Sequence, residues 1–252
     1  MALTLSTRTT RIVASPTLQM AATVKAMKAQ GIPVFDFAAG EPAQDTPNTV
    51  KQAAQAAIQA NFTKYTAVTG IDELKEAIID TFRSTHGLDY EKSQILVSCG
   101  AKHTLYNFTQ AFLDAGDEVI VPSPYWVSYP EQILLADATP VFLKTDESSS
   151  YAIDATRLEA LITKKTKAII LNSPCNPTGS LYDRSTLERV AELALRHDLL
   201  IVSDEIYEHI NFAGENFSIG SVESLKNQAI TVNGVAKGFA MTGWRIGYIG
   251  AP

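Results

Sequence analysis

The sequence contains few of the features that mark specialised protein classes. Only two of its 252 residues are cysteine, and its 27 acids outnumber its 21 lysines and arginines. The acidic balance excludes a strongly basic surface, so we expect no nucleic-acid partner. Cys99 and Cys175 are too few for a disulfide framework and have no metal-ligand spacing. We therefore expect no metal site and a reducing, cytoplasmic setting.

Long apolar runs and compositional bias are also missing. The chain has no apolar stretch long enough to cross a bilayer, so we expect no membrane partner. Residues 1–35 contain no acid, as in some transit peptides, but they hold no secretory apolar core. A content of 46% hydrophobic residues is typical of a globular protein with one large domain or two small ones.

Short apolar runs that predict strands alternate with segments of helical periodicity. Several runs are continuously apolar, which is typical of parallel strands covered on both faces. The alternation predicts a three-layer α/β domain. Helical patterns over residues 50–60 and 73–82 precede it, and a short amphipathic helix is expected after Ser15, with Leu18 and Met27 on its apolar side. The predicted strands are 95–98, 118–122, 140–145, 168–172, 199–204, 229–235 and 245–251.

Two helices are predicted between these strands. Leu105, Phe108 and Phe112 share one face of the first, because they recur at helical spacing. Ser185 and Glu188 have the spacing of a capping box, which predicts that the second helix begins just after Ser185.

Lys237 ends an apolar run among small residues. A lysine shielded from water favours its neutral amine, which is a nucleophile that forms a Schiff base with an aldehyde. The alternative is a lysine at a strand end whose amine reaches solvent.

The loop Ser98-Cys-Gly-Ala-Lys102 joins a predicted strand to a predicted helix through a glycine. Amides at the N-terminus of a helix bind anions, so the loop suits a phosphate. It has the glycine spacing of neither a Walker A loop nor a dinucleotide fingerprint. A plain tight turn is the alternative.

Five short motifs follow predicted strands, where ligands bind in open α/β sheets. In order and spacing they resemble the class I aminotransferases, pyridoxal-phosphate enzymes of fold type I, near the branch of bacterial aspartate aminotransferases. The resemblance runs from about Arg11 to Pro252. The motifs are Ser98-Cys-Gly-Ala-Lys102, Pro124-Tyr-Trp126, Asn172-Ser-Pro-Cys-Asn-Pro-Thr-Gly179, Ser203-Asp-Glu-Ile-Tyr207 and the segment 233–247 around Lys237.

The resemblance implies a fold and a domain arrangement. The expected fold is a three-layer α/β/α pyridoxal-phosphate transferase large domain with a seven-stranded, mostly parallel sheet. Residues 1–47 would form an N-terminal arm and part of a small domain, and residues 48–252 the cofactor-binding large domain. Family members continue beyond the last residue of this sequence. We therefore expect a chain truncated at its C-terminus, without the C-terminal small domain and its carboxylate-binding arginine.

The resemblance also implies how pyridoxal 5'-phosphate is held. The amides of Gly100, Ala101 and Lys102 and the guanidinium of Arg245 would bind its phosphate, together with Tyr65 of a neighbouring subunit. A homodimer with shared active sites is therefore expected. A surface salt bridge is the alternative role for Arg245.

Other residues are expected around the cofactor ring. By resemblance, Asp204 would pair with the ring nitrogen, and Tyr207 and Asn176 would reach the phenolic oxygen. Trp126 would stack on the ring, and Lys237 would carry the cofactor. Without the resemblance, Asp204 could cap a following helix and Trp126 could be a core aromatic.

The implied reaction is a ping-pong transamination in which Lys237, Asp204 and Tyr207 are catalytic. The partners would be an L-amino acid, with aspartate as the first expectation, and a 2-oxo acid such as 2-oxoglutarate; prephenate, aromatic and alanine acceptors stay open. Gly40, Trp126 and Asn176 would contact the substrate. Two alternatives remain: another fold type I enzyme, such as a lyase or decarboxylase, and a truncated, non-catalytic cofactor-binding module. A fragment of this length is expected to be poorly active.

Overall fold

The computed structural model describes residues 4–37, 40–212 and 214–252. Within them, seven strands form one sheet that helices cover on both faces. The helices are α1 (Pro16–Ala29), α2 (Asn48–Gln59), α3 (Asp72–His86), α4 (Ala101–Phe112), α5 (Ser128–Leu135), α6 (Ala155–Leu161) and α7 (Arg184–Arg196). The strands are β1 (Ile95–Ser98), β2 (Glu118–Ser123), β3 (Thr139–Lys144), β4 (Thr166–Asn172), β5 (Leu200–Asp204), β6 (Ala229–Gly234) and β7 (Gly247–Gly250).

The strand order is β1-β7-β6-β5-β4-β2-β3. Strand β7 runs antiparallel to β1 and β6, and the other neighbouring strands are parallel. The predicted seven-stranded, mostly parallel sheet is therefore confirmed. As a result, the carboxyl ends of β1, β2, β4, β5 and β6 lie along one edge, where the loops that follow them converge.

The sheet has a hydrophobic core on each face, and β4 contributes to both. Ile169 and Leu171 point toward α6 and α7, whereas Ala168 and Ile170 point toward α4 and α5. This alternation follows from the two-residue repeat of a strand, and it explains why the run is continuously apolar. Burial of each large side chain stabilises the fold by about 1.5–3 kcal/mol, so the two cores hold the sheet edge rigid.

Helix α7 begins earlier than the capping-box spacing predicted. Asp183 is its N-cap, and one carboxylate oxygen accepts a bond of 2.6 Å from the Thr186 amide. Ser185 lies inside the helix and donates to Asp183, while Glu188 pairs with Arg184 over 2.8 Å. The capping-box prediction is wrong because an ionised carboxylate is a stronger acceptor for the free amides than a hydroxyl. The hydrogen bond from the Thr186 amide also lowers the pKa of Asp183.

Helix α1 forms as expected, but the fold covers little of its apolar side. Leu18 is 71% exposed, Met27 is half-buried, and Val24 is the buried residue of the helix. The segment before it contacts the body of the fold, where Arg11 pairs with Asp137 over 2.5 Å. Among all the helices described, none combines the length and apolar character needed to cross a bilayer.

Candidate active site

A cavity of about 660 Å³ opens at the sheet edge where the loops converge. It brings together nine of the eleven predicted site residues: Gly40, Ala101, Lys102, Trp126, Asn176, Asp204, Tyr207, Lys237 and Arg245. A neighbouring cavity of about 730 Å³, lined by residues 41–46, Ala240 and 242–244, is larger but contains neither an amine nor a guanidinium. We therefore place the site in the first cavity, because it combines an amine, a buried carboxylate and a guanidinium.

Lys237 follows β6 and is half-buried in this cavity. Its Nζ donates to the Gly40 carbonyl and lies 5.5 Å from the centroid of the Tyr207 ring. Burial lowers the pKa of Lys237, Glu41 opposes that shift, and Arg245 adds to it. The amine points into the site, so the alternative of a solvent-directed lysine is not what the structure shows.

Asp204 is the last residue of β5 and is 3% exposed. The Tyr129 hydroxyl donates to Asp204 Oδ2 over 2.7 Å, and the Ile206 amide donates to Oδ1 over 3.3 Å. Burial raises the pKa of Asp204 from 3.8 to about 6, although both donors favour the ionised form. The chain after Asp204 makes turns, so this carboxylate does not cap a helix.

Tyr207 and Asn176 meet across the cavity. Asn176 Nδ2 donates to the Tyr207 hydroxyl over 3.1 Å. Asn172, which ends β4 opposite Asp204 in the sheet register, joins the two loops. Its Nδ2 donates to the Asp204 carbonyl over 2.9 Å, and its Oδ1 accepts from the Asn176 amide over 2.7 Å. The side-chain amide of Asn176 and the hydroxyl of Tyr207 are therefore held at a fixed spacing.

The loop after β1 approaches Arg245 closely. Gly100 is the N-cap of α4 and has a φ of +91°. A Cβ at this position would lie 2.3 Å from Arg245 Nη2, so a side chain would displace the guanidinium. Arg245 donates to the carbonyls of Thr242 (2.8 Å) and Cys99 (3.4 Å), which holds its fork at the start of α4. These two bonds to carbonyl oxygens support a site role over a surface salt bridge.

Lys102 and Trp126 form the cavity wall next to the start of α4. Lys102 Nζ lies 5.1 Å from the centroid of the Trp126 ring, in a cation–π contact. Burial and the nearby Arg245 charge both lower the pKa of Lys102. Trp126 also meets Tyr129 edge to face at 5.3 Å. Trp126 is half-buried and lines the cavity, so it is not a fully buried core aromatic.

The remaining predicted residues have different positions. Gly40 lines the cavity, while the preceding Ala38 and Ala39 lie outside the described residues. Tyr65 is fully exposed and does not line the cavity. The site of a single chain therefore lacks this residue.

Sequence reasoning missed Tyr129 and Asn172. Tyr129 lies three residues after Trp126, and that proximity was the available signal. Asn172 ends a predicted strand as Asp204 does, so its position at the same sheet edge was readable. Their hydrogen bonds to Asp204 could not be predicted, because each bond joins segments that are distant in sequence.

A buried ionisable cluster lies behind the cavity. His86, Glu205 and Glu208 place three potential metal ligands within 4.8 Å of one another. His86 Nε2 and Glu208 Oε2 are 2.5 Å apart, which is a direct hydrogen bond that leaves no room for an ion between them. We therefore interpret the cluster as a hydrogen-bonded ion pair and not as a metal centre.

Comparisons with known proteins agree with this geometry. The family model for aminotransferase class I and II matches residues 32–252. An aspartate aminotransferase of Bacillus sp. (strain YM-2) is 49% identical over 97% of the chain, and an aspartate/prephenate aminotransferase of Thermus thermophilus is 46% identical over 98%. The chain spans 63% and 64% of the lengths of these two relatives.

Solved structures show the same similarity. Aspartate aminotransferase from Thermus thermophilus with maleate superposes with a TM-score of 0.97 at 45% identity, over 100% of this chain and 65% of that one. The aspartate aminotransferase from Rhizobium meliloti superposes with a TM-score of 0.95 at 44% identity, over 100% and 64%. The observed arrangement of helices and strands is therefore that of these enzymes over the shared region.

Proposed function

The chain belongs to the class I and II aminotransferase family, and on that premise we propose that it takes part in pyridoxal-phosphate-dependent transamination between an L-amino acid and a 2-oxo acid. The observation that carries the proposal is the position of Lys237. Its amine, with a pKa lowered by burial, lies in one cavity with Asp204 and Tyr207.

The donor set of the cavity fits the coenzyme. Arg245 and the amides at the start of α4 suit the phosphate, and Gly100 lacks the Cβ that would push Arg245 away. Asp204 suits the ring nitrogen, because a buried carboxylate is stabilised by a cationic partner. Asn176 and Tyr207 suit the phenolic oxygen, and Trp126 offers a flat face to the ring. When bound, the coenzyme supplies an aldehyde and a ring that accepts the electron pair of a broken bond.

The residues of the chain then have separate tasks. Lys237 would remove the proton from the substrate Cα and deliver it to the coenzyme carbon, which requires an amine that is neutral near physiological pH. The lowered pKa of Lys237 supports that role. Asp204 would keep the ring nitrogen protonated, and Tyr207 and Asn176 would bind the phenolic oxygen. Gly40, Trp126 and Asn176 line the cavity and are proposed to contact the substrate.

Aspartate is the proposed amino donor and 2-oxoglutarate the proposed acceptor. The support is the similarity to the aspartate aminotransferases named above. We also propose a cytoplasmic setting, which the two unpaired cysteines support. Residues 1–47 are proposed as an N-terminal arm with part of a small domain, and residues 48–252 as the large domain.

A homodimer with shared sites is the proposed assembly. Tyr65 is fully exposed in a single chain, and Phe62 and Val68 beside it are 60% and 97% exposed. An apolar segment of this kind is typical of a protein interface. Sedimentation velocity of the chain and of Tyr65→Asp tests the assembly. We expect a dimer that the substitution weakens, and a monomeric parent chain would contradict the proposal.

Chemical trapping tests the proposed function. The purified chain is incubated with pyridoxal 5'-phosphate and reduced with borohydride, and peptide mass spectrometry locates the adduct. We expect it at Lys237, and we expect it to persist in Lys102→Ala, which removes a different amine from the same cavity. No adduct, or an adduct only at another lysine, would reject the proposal and favour a non-catalytic module.

Product analysis separates the reaction classes. The chain with coenzyme, aspartate and 2-oxoglutarate is assayed for glutamate and oxaloacetate. Transamination yields both and stops in Lys237→Ala. Release of carbon dioxide or ammonia without glutamate would favour a decarboxylase or lyase instead.

A further inference from the structure

The segment that carries Asp204 and Tyr207 has two different faces. Asp204 and Tyr207 line the cavity. Glu205 and Glu208 are 4% and 6% exposed and point to His86 at the end of α3. Buried carboxylates are costly unless they are paired. Glu205 and Glu208 do not line the cavity, so contact with the coenzyme does not explain why these two carboxylates are buried behind it.

Glu208 joins three parts of the chain. Its Oε2 lies 2.5 Å from His86 Nε2, its Oε1 accepts from Asn233 Nδ2 over 2.7 Å, and its carbonyl accepts from Asn216 over 2.5 Å. Its amide also donates to the Glu205 carbonyl. The residue that follows Tyr207 is thus tied to α3, to β6 and to its own loop.

Asn233 extends this connection to the segment that carries Lys237. Its Oδ1 accepts from the Gly234 amide over 2.7 Å. A Cβ at Gly234 would lie 2.8 Å from the Ile246 carbonyl and 3.2 Å from Ile206 Cδ1, so the backbone here has no free space. A shift of Glu208 would therefore move both Tyr207 and the chain leading to Lys237.

His86 keeps the two carboxylates of the cluster apart. Glu205 Oε1 accepts bonds of 2.8 Å from Ser203 and Ser218. Glu205 Oε2 has no hydrogen-bond partner among the described residues and lies 3.7 Å from His86 Nε2. A second imidazole is close to the pair, since His209 Nε2 lies 3.4 Å from Glu208 Oε1. Without His86, one of the two buried carboxyl groups would hold a proton, and Glu208 would lose the bond that ties it to α3.

We infer that His86 and Glu208 are positioning residues for the active site: through Asn233 they hold the Tyr207 hydroxyl and the Lys237 amine at a fixed spacing. The inference rests on the proposed function, because it assigns the spacing a role toward the lysine-bound coenzyme. Neither His86 nor Glu208 is among the residues that line the cavity.

The test compares His86→Leu with His86→Gln, whose amide restores a donor to Glu208. Each chain is loaded with pyridoxal 5'-phosphate, and the visible absorbance of the coenzyme on Lys237 is titrated with pH. We expect His86→Leu to shift the midpoint by about half a pH unit or more, a threefold change in the equilibrium constant. His86→Gln should restore most of the parent midpoint.

Two further variants keep the test decisive. Leu158→Ala removes a fully buried side chain of α6 that belongs to the hydrophobic core and not to the cluster, so it should lower stability in urea without moving the midpoint. Asn233→Ala breaks the link to Lys237 but leaves the His86–Glu208 pair, so it should shift the midpoint even if His86→Leu does not fold.

The outcomes separate the two levels of inference. If the parent chain forms the Lys237 adduct but His86→Leu and Asn233→Ala keep its midpoint while losing stability, the cluster is only structural and the inference is overturned. If the parent chain forms no adduct at Lys237, the proposed function fails, and the positioning role fails with it.

Discussion

The Tyr129 hydroxyl donates a hydrogen bond of 2.7 Å to Asp204 Oδ2, and both side chains are buried. Tyr129 lies on α5 and Asp204 ends β5, so the bond spans 75 residues of sequence. A donor to a carboxylate favours its ionised form, whereas burial favours the protonated form and raises the pKa to about 6. Tyr129 is therefore part of what keeps Asp204 available as an anion.

Replacement of Tyr129 by Phe should weaken coenzyme binding. Loss of the donor raises the pKa of Asp204 further and leaves less carboxylate to pair with a protonated ring. The expected loss is about 1 kcal/mol, or roughly fivefold in Kd, measured by fluorescence titration with pyridoxal 5'-phosphate. Tyr182→Phe is the control, since Tyr182 is also buried but does not line the cavity. Equal losses in both variants would contradict the assignment.

The raised pKa of Asp204 predicts how stability depends on pH without coenzyme. The folded chain keeps a proton on Asp204 up to about pH 6, whereas the unfolded chain releases it near 3.8. The unfolding free energy should therefore fall as pH rises through this window, by about 3 kcal/mol in total. Urea denaturation of the parent chain and of Asp204→Asn measures the difference. Glu205, with a pKa raised by burial to about 7, contributes to both chains and cancels.

Gly100→Ala should damage the proposed phosphate-binding end of the cavity. The new Cβ would lie 2.3 Å from Arg245 Nη2, so the guanidinium must move. We expect affinity for pyridoxal 5'-phosphate to fall about tenfold, or roughly 1.4 kcal/mol, by fluorescence titration. Gly116→Ala is a matched control, because Gly116 has a similar φ of +98° but no atom within 4 Å of its Cβ position. If Gly116→Ala weakened binding equally, backbone strain and not Arg245 would be the cause.

Arg245→Lys should discriminate between coenzymes with and without phosphate. Lysine keeps the charge but loses the planar fork of donors. The Kd for pyridoxal 5'-phosphate should rise about tenfold, while trapping of phosphate-free pyridoxal at Lys237 should be unchanged. Arg184→Lys, on the exposed start of α7, serves as the control. A loss that is the same for both coenzymes would remove the phosphate role from Arg245.

Much of the fold was readable because strands and site loops obey local rules. The run 168–172 predicted β4 correctly, since its continuous apolar character follows from burial on both faces. The start of α7 was predicted wrongly, because two acceptors competed for the same amides and the carboxylate of Asp183 forms the bond to the Thr186 amide. The exposure of Leu18 was also unpredictable, since periodicity shows an apolar face but not what covers it.

Some features of the site could also be predicted from the sequence, and others could not. Lys237, Asp204 and Asn176 were predictable because each belongs to a family motif at or just after the end of a strand, and parallel strands bring their carboxyl ends to one edge. The bond from Tyr129 to Asp204 and the cluster of His86 with Glu205 and Glu208 were not predictable. They depend on side chains that meet only after the layers have packed.

The sequence by itself determined the order of strands and helices along the chain, the family and nine of the residues that line the cavity, because these depend on periodicity and on short motifs. The tertiary structure alone decided which charges are buried, which donors hold them and how close Gly100 comes to Arg245. Such contacts join residues that are far apart along the chain, and their energies depend on distance and solvent exclusion that no local pattern contains.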